Sequence, residues 1–208
     1  MTTPRDAQVS GGAPLDLDSS RASIARVYDG ALGGTDNFEI DREVLAQVRE
    51  VAPEVNDLAW SNRRFLARAV RFLGDQGGIR QYLDCGSGLP TAENTHQIAR
   101  RIDPATRVVY VDNDAAVIAH SQALLAGDEL SPLARRMEQV FLHSPMRSGI
   151  FRTRAQIEAF LPGLEIVPPG PGRPGELELC DLWWPDGPKL RPLNQVERCI
   201  AAAIGRKP

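Results

Sequence analysis

Cysteine, histidine and aromatic side chains are scarce in this chain of 208 residues, which has three Cys, three His and 6% aromatics. Cys85, Cys180 and Cys199 are odd in number, far apart and form no CxxC. Neither a disulfide framework nor a zinc site is suggested, and a reducing cytoplasm is the expected location. His96, His120 and His143 are isolated, with no histidine partner one helical turn away, so no metal site is expected. No apolar run reaches the length of a membrane span, and residues 1–20 lack the apolar centre of a signal peptide. There is no excess of positive charge either. The formal net charge is -3, which argues against a general nucleic-acid binder. Ser87 stands in Cys-Gly-Ser-Gly rather than G-x-S-x-G, which excludes a hydrolase elbow. What remains is ordinary for a globular domain with a real core: 42% hydrophobic and 25% charged residues.

The first 20 residues are rich in Gly, Ser, Thr, Pro and Asp and cannot bury enough surface to offset ordering entropy, so a disordered tail is expected. Helices are predicted over 23–32, closed by Gly33-Gly34, over 41–51, ended near Pro53, and over 57–74. The apolar spacing in the third includes Leu58, Phe65, Leu66, Ala69, Val70, Phe72 and Leu73. A strand follows at Gln81–Cys85, a helix from Pro90 or Thr91 to Ile102, and a second strand at 107–112. Asp114 then reads as the N-cap of a helix closed by Gly127. Strand, helix, strand and helix in this order mean a parallel sheet, hence an α/β fold. Beyond Gly127 the pattern changes. A helix opens at Ser131-Pro132, and Thr153 with Gln156 forms a capping box for a helix through Leu161. Residues 164–167 suit a strand, 168–192 read as a Pro- and Gly-rich loop, and 196–204 read as a closing strand.

The chemistry concentrates at Asp84-Cys-Gly-Ser-Gly-Leu-Pro-Thr91. Gly86 and Gly88 let the backbone turn sharply and approach a ligand, and a helix starting just after them would aim its free N–H groups there. A dinucleotide fingerprint would need Gly or Ala where Thr91 stands. Asp84, two residues before the first glycine, would repel a pyrophosphate but attract a cation. S-adenosylmethionine carries an ammonium and a sulfonium and no phosphate, so the electrostatics favour it over a nicotinamide cofactor. Asp112, 24 residues after Gly88, suits a ribose diol. Its charged hydrogen bonds are worth about 1.5–3 kcal/mol, or roughly 10- to 150-fold in affinity. Asn113 would support the adenine or the turn, and Asp114 reads as a cap. The stretch 28–38 reads two ways: as a helix end followed by a glycine-rich loop, or as a segment closing over a cofactor with Tyr28 and Phe38 as apolar walls. Arg64, Arg68 and Arg71 share one helical face and read as a solvated face. Trp183-Trp184 would line a pocket or cover a core. No residue can be named as a catalytic base.

Taken together these stretches resemble the actinobacterial S-adenosyl methyltransferase family once known as a domain of unknown function. The resemblance is carried by Arg26-Val-Tyr-Asp-Gly-Ala-Leu-Gly-Gly-Thr-Asp-Asn-Phe38, Asn62-Arg63 with Phe65-Leu66, the glycine turn 84–91, and Tyr110-Val-Asp-Asn-Asp114. Towards the C-terminus it continues in 151–158, 163–168, 184–187 and 205–208. It implies a Rossmann-like class I methyltransferase fold with an N-terminal helical cap. Asp84, Gly86, Gly88 and Asp112 would be cofactor contacts, with Tyr28, Gly33, Gly34, Asn37 and Phe38 at the cap. The sequence departs from that pattern after Glu129, where a third strand is expected but a later helix follows. About four strands are found where about seven are expected. The expected organisation is therefore a tail over 1–20, a helical cap over 21–76 and a cofactor-binding unit over 77–208 lacking central strands. The edge of the first strand left bare is expected to be closed by the strands near 164–167 and 199–204, or by another chain in a homo-oligomer. Two functions follow: an S-adenosylmethionine-dependent methyltransferase of a small-molecule acceptor, impaired by the missing strands, or a non-catalytic remnant that binds the cofactor or a partner. A nicotinamide-dependent oxidoreductase is a third, opposed by Asp84 and Thr91.

Overall fold

The computed structural model describes residues 20–85, 88, 93–111 and 152–208, and for 109–111 the backbone alone. The expected tail and the helices predicted from Asp114 and from Ser131 lie outside the described residues.

Three helices lead the chain: α1 (Ile24–Leu32), α2 (Glu39–Val51) and α3 (Val55–Asp75). α1 ends where Gly33 takes φ 86°, a left-handed conformation that a glycine adopts without a Cβ penalty. α2 begins two residues before the expected Asp41. The Asp41 carboxylate accepts from the Phe38 N–H at 2.9 Å and so satisfies a donor at the helix start. The same carboxylate, fully buried, accepts from the Ser23 N–H at 2.8 Å and from Arg26 Nε at 2.7 Å. This ion pair ties α1 to α2. Val44, Leu45 and Val48, spaced by helical turns, are 0–3% exposed. Each contributes about 1.5–3 kcal/mol by leaving water. The core they join also includes Val27, Ala31, Leu58 and Ala59 from the helices and Cys180, Val196, Cys199 and Ile200 from the far end of the chain. The C-terminal segment thus packs on the leading helices.

β1 (Gln81–Cys85) and β2 (Arg107–Val111) pair in parallel, Gln81 opposite Arg107 and Cys85 opposite Val111. The crossover between them contains α4 (Thr95–Ile102). Ala67 and Val70 of α3 meet Ile98 and Ala99 of α4, with Tyr82 and Val108 packed against them, so both helices cover one face of the pair. On the other face of β1, Leu83 is 65% exposed. α4 starts at Thr95 with Asn94 as its N-cap, not at Pro90 or Thr91. The backbone N–H of Asn94 donates to Gln97 Oε1 at 2.8 Å, and Glu93 just before it has φ 59°, which turns the chain into the helix.

The C-terminal part departs more from expectation. α5 (Arg154–Glu158) begins with the expected capping box: Thr153 Oγ1 accepts from Gln156 N–H at 3.2 Å, and Gln156 Oε1 accepts from Thr153 N–H at 2.8 Å. Beyond Glu158 the chain continues as tight turns up to Leu161, because Pro162 cannot extend a helix. β3 (Glu165–Ile166) pairs antiparallel with β6 (Gly205–Arg206), and β4 (Glu178–Leu179) with β5 (Ala201–Ala202). The stretch read as a loop over 168–192 therefore contains a strand, and the strand read over 196–204 is broken by a 3-10 turn, Glu197–Cys199. Glu197 explains the break. Its buried carboxylate accepts from Asn194 N–H at 2.9 Å, while its own N–H donates to Asn194 Oδ1 at 2.8 Å, which curls the chain locally. Among the described residues the strands form three separate two-stranded sheets, and β1 has β2 as its strand partner. The expectation that the C-terminal strands close the other edge of β1 is thus corrected: their two-residue ladders are satisfied by one another.

Of Arg64, Arg68 and Arg71, read as a solvated face, Arg64 and Arg71 are half exposed but ion-paired, and Arg68 does not belong to such a face. Arg68 is buried and donates from Nε to the Trp183 carbonyl at 2.9 Å and from Nη2 to the Cys180 carbonyl. Arg64 donates to the buried carboxylate of Asp181 from Nε at 3.2 Å and from Nη2 at 3.1 Å. Arg71 pairs with Asp186 at 2.6 Å. Together they fasten α3 to the C-terminal segment. Trp183 is core, edge-on to Phe65 and Phe72 with ring centres 5.4 and 5.6 Å away, whereas Trp184 lines a groove with Arg71 and Asp186.

Candidate cofactor site

The parallel pair delivers Asp84 to the C-terminal end of β1, opposite Tyr110 in register. Thr95 Oγ1, on the first residue of α4, donates to Asp84 Oδ2 at 2.6 Å. This bond holds the carboxylate at the mouth of the crossover and leaves its other lone-pair sites for a second donor. Gly88, three residues beyond the strand, has φ 62°, and a Cβ built there would meet nothing within 4 Å. A carboxylate held at a strand end, and a left-handed glycine with open space beside it four residues on, are features that fit a cationic nucleoside cofactor. Gly86, Asp112 and Asn113 lie outside the described residues.

The cap residues are brought towards this strand end by α3. Tyr28 donates its hydroxyl to the Ala59 carbonyl at 3.0 Å and accepts from Asn62 Nδ2 at 3.1 Å. Burial raises the phenol above its ordinary value, against smaller opposing pulls from the Asn62 bond and the Arg63 charge. Arg63, the next residue along, donates from Nη2 to Asn94 Oδ1 at 3.0 Å. Successive contacts therefore run from Tyr28 through Asn62 and Arg63 to Asn94 and Thr95, and so to Asp84.

The glycine-rich stretch has a built geometry. Asp29 Oδ2 accepts from the Asp36 N–H and from Asn37 Nδ2, both at 2.9 Å. Asn37 Nδ2 also donates to the Gly34 carbonyl at 3.0 Å. A Cβ at Gly34 would stand 1.9 Å from Asp29 Oδ1, so only glycine lets the loop close on this carboxylate. Phe38, 38% exposed, lies under the Arg26 guanidinium at 5.0 Å. Gly33 and Gly34 are exposed at the loop's rim. Tyr28 and Asn37 are thus fixed by hydrogen bonds within the protein, and Phe38 presents the more open apolar wall. Of the residues singled out from sequence, Asp84 stands at the strand end with Gly88 four residues further on, and Gly34 and Asn37 meet in the loop that Gly33 and Phe38 flank. Arg63, Asn94 and Thr95 were missed as a connection. The polar run Asn62-Arg63 and the spacing of Asn94 and Gln97 signalled it.

No group of three or more His, Cys, Asp or Glu side chains among the described residues could hold a metal. Nor is any described helix long and apolar enough to cross a membrane.

A parallel βαβ unit with an acid at the C-terminal end of its first strand defines a protein of the open-sheet α/β class. The chain belongs to the S-adenosyl methyltransferase family, whose pattern matches residues 10–131. Two solved structures are similar over nearly their whole length. A candidate methyltransferase from Thermobifida fusca YX has a TM-score of 0.78 and 29% identity, with 92% of this chain and 97% of that chain covered. A DUF574 family protein from Streptomyces avermitilis MA-4680 has a TM-score of 0.78 and 24% identity, covering 92% of this chain and all of that one. The second likeness bears on the fold alone. The fold is the Rossmann-like α/β fold of methyltransferases, and among the described residues its parallel sheet is the pair β1–β2. Among curated proteins no relative matches.

Proposed function

We propose that this chain binds S-adenosylmethionine at the β1–α4 crossover and serves as a methyltransferase of a small-molecule acceptor. The observation that carries the reading is Asp84, held by Thr95 at the strand end four residues before the left-handed Gly88, in a chain of the S-adenosyl methyltransferase family. In this reading Asp84 takes the cofactor's ammonium, and the backbone at Gly86 and Gly88 runs close beside the methionyl chain. Asp112 accepts from the ribose hydroxyls, and Asn113 supports the adenine. Tyr28, Gly33, Gly34, Asn37 and Phe38 form the cap's edge. Tyr28 and Asn37 shape it through their internal bonds, and Phe38 offers apolar surface.

When bound, the cofactor supplies an electrophilic methyl on a sulfonium. The protein's contribution is then placement, since holding two reactants in line supplies most of what such a transfer needs. The helical cap over 21–76 would exclude water from that face, and the unit over 77–208 would hold the cofactor. All three cysteines are free, which accords with a cytoplasmic location.

The alternative is a non-catalytic remnant of the family that binds the cofactor or a partner. It is favoured by the three separate two-stranded sheets among the described residues. A second copy of the chain paired along the edge of β1 that has no strand partner among the described residues would extend the sheet in either case. Calorimetry with S-adenosylmethionine, S-adenosylhomocysteine and NAD tests the reading. Heat is expected with the two adenosyl compounds and none with NAD. Binding without methyl transfer to any acceptor in a small-molecule panel would favour the remnant, and NAD binding alone would overturn both.

A further inference from the structure

Arg64 and Arg71 of α3 each stand against a carboxylate, Asp181 at 3.1 Å and Asp186 at 2.6 Å, but Arg68 between them does not. Only 6% exposed, it donates from Nε and Nη2 to the carbonyls of Trp183 and Cys180 and forms no ion pair among the described residues. Its Nη1 has no hydrogen-bond partner among them. Yet Nη1 is not a buried orphan, a description that fits Trp183 Nε1 alone among the described side chains. Nη1 therefore opens on accessible space, and Arg68 lines a groove of about 180 Å³ with Arg71, Phe72 and Trp184. Burial lowers the guanidinium from its ordinary value, against the pulls of Asp181 and Asp186, whose carboxylates Arg64 and Arg71 already engage. A buried charge without a partner is costly, and an anion seated on Nη1 would relieve that cost.

The groove also has a built apolar wall. Trp184 is held at φ 43°, a left-handed conformation rare for a bulky side chain, and its N–H donates to the Pro169 carbonyl at 2.7 Å. Its indole lies edge-on to Phe72 with ring centres 4.9 Å apart. The volume is below the roughly 300–1,000 Å³ of drug-sized pockets, which suits a single ring with one charged substituent. Two acids line the groove as well. Asp186 accepts through both oxygens from Arg71 Nη2, at 2.6 and 2.8 Å. Asp75 is exposed, so water screens it, and the buried guanidinium sets the sign of the ligand. These residues end α3, where Arg80, just before β1, donates to the Gly74 carbonyl at 2.7 Å. The groove thus stands at the end of β1 away from Asp84, separate from the proposed cofactor crossover.

We infer that this groove binds a small aromatic carboxylate, with its anion on Arg68 Nη1 and its ring against Trp184. Asp186 competes with that anion by holding Arg71.

The test is NMR of the full chain labelled with heavy nitrogen, following the indole N–H signals of its three tryptophans. Trp184→Phe assigns the signal that matters. Benzoate is the probe. Benzamide keeps its shape without the charge, benzylamine reverses the charge, and acetate lacks the ring. Benzoate should shift the Trp184 signal saturably. Benzamide should bind at least about 10-fold more weakly, having lost hydrogen bonds to a charged group. Acetate should also bind more weakly, and benzylamine should not bind. Arg68 fastens the C-terminal segment, so the informative variant is Asp186→Asn, at a side chain 70% exposed. It should tighten benzoate about two- to fivefold by removing a like charge and releasing Arg71. Any one of three results overturns the site: no saturable shift of Trp184 with benzoate, a control that binds as tightly as benzoate, or unchanged or weaker benzoate binding in Asp186→Asn.

Discussion

Two buried carboxylates show how single residues set the stability of this molecule. Asp41 serves Arg26 and two backbone donors, and Arg26 and Asp41 are both buried. Replacing Asp41 with Ala leaves a buried guanidinium without that partner, which typically costs about 3–5 kcal/mol. Urea unfolding should show this as a lower midpoint with unchanged slope, and a loss below about 0.5 kcal/mol would mean solvent reaches Arg26. Asp181 acts through pH. Burial alone would raise its carboxyl, but hydrogen bonds from Arg64, Lys189 and Ser61 outweigh burial and hold it well below the usual range. A carboxyl depressed in the folded state contributes stability that is full above its unfolded value of about 3.9 and fades as pH falls towards the folded value. Stability should therefore decline below about pH 4, and Asp181→Asn should flatten that decline. An identical acid profile in the variant would contradict the assignment. The place of Asp84 near the end of β1 was legible in the sequence because a short apolar run that ends in an acid before glycines has a local signature. The link from Arg63 to Asn94 was not, because it joins residues 31 apart through the packing of α3 on α4.

At the scale of elements, helices were read more reliably than strands. α1, α2, α3, β1 and β2 each carry an apolar period or run long enough to register, and their observed bounds fall within two residues of those predicted. β3, β4, β5 and β6 are two residues long, and two residues hold no alternation. Their pairing is decided by tertiary contacts, such as Arg206 with Glu165 at 2.6 Å across β3 and β6. The start of α4 was misplaced because proline favours a first helical turn, so Pro90 outweighed the quieter Asn94 and Gln97. Two substitutions test these elements. Gly34→Ala should open the loop between α1 and α2, since its Cβ would stand 1.9 Å from Asp29 Oδ1. Faster amide exchange at Asp36 and Asn37 would report it, and unchanged exchange would show that Asp29 turns aside freely. Arg68→Met should cost about 1–3 kcal/mol for each of the Trp183 and Cys180 carbonyls it leaves without this donor. Thermal unfolding of the variant measures that loss.

For the whole molecule, the decisive feature is that one core joins the leading helices to residues 180–200 across the proposed boundary at 76. A cap that shared no core could unfold by itself. This one should unfold with the C-terminal segment in a single transition. Trp183, at 0% exposure within α3's contacts, and far-ultraviolet dichroism give two probes whose curves should coincide. Separate midpoints would mean that the cap is an independent unit. The overall α/β class was legible from the order of strand and helix. The attachment of the chain's end to its beginning was not, since it depends on Arg64, Arg68 and Arg71 meeting Asp181, Trp183 and Asp186 over more than 100 residues of sequence.

The central claim is that the β1–α4 crossover holds an adenosyl cofactor through Asp84, and titration of S-adenosylhomocysteine into native protein and Asp84→Asn tests it most directly. The account predicts saturable binding at one site per chain, weakened by roughly 10- to 150-fold in the variant. A folded native protein that gives no heat, or a variant that binds as tightly as the native chain, would contradict it.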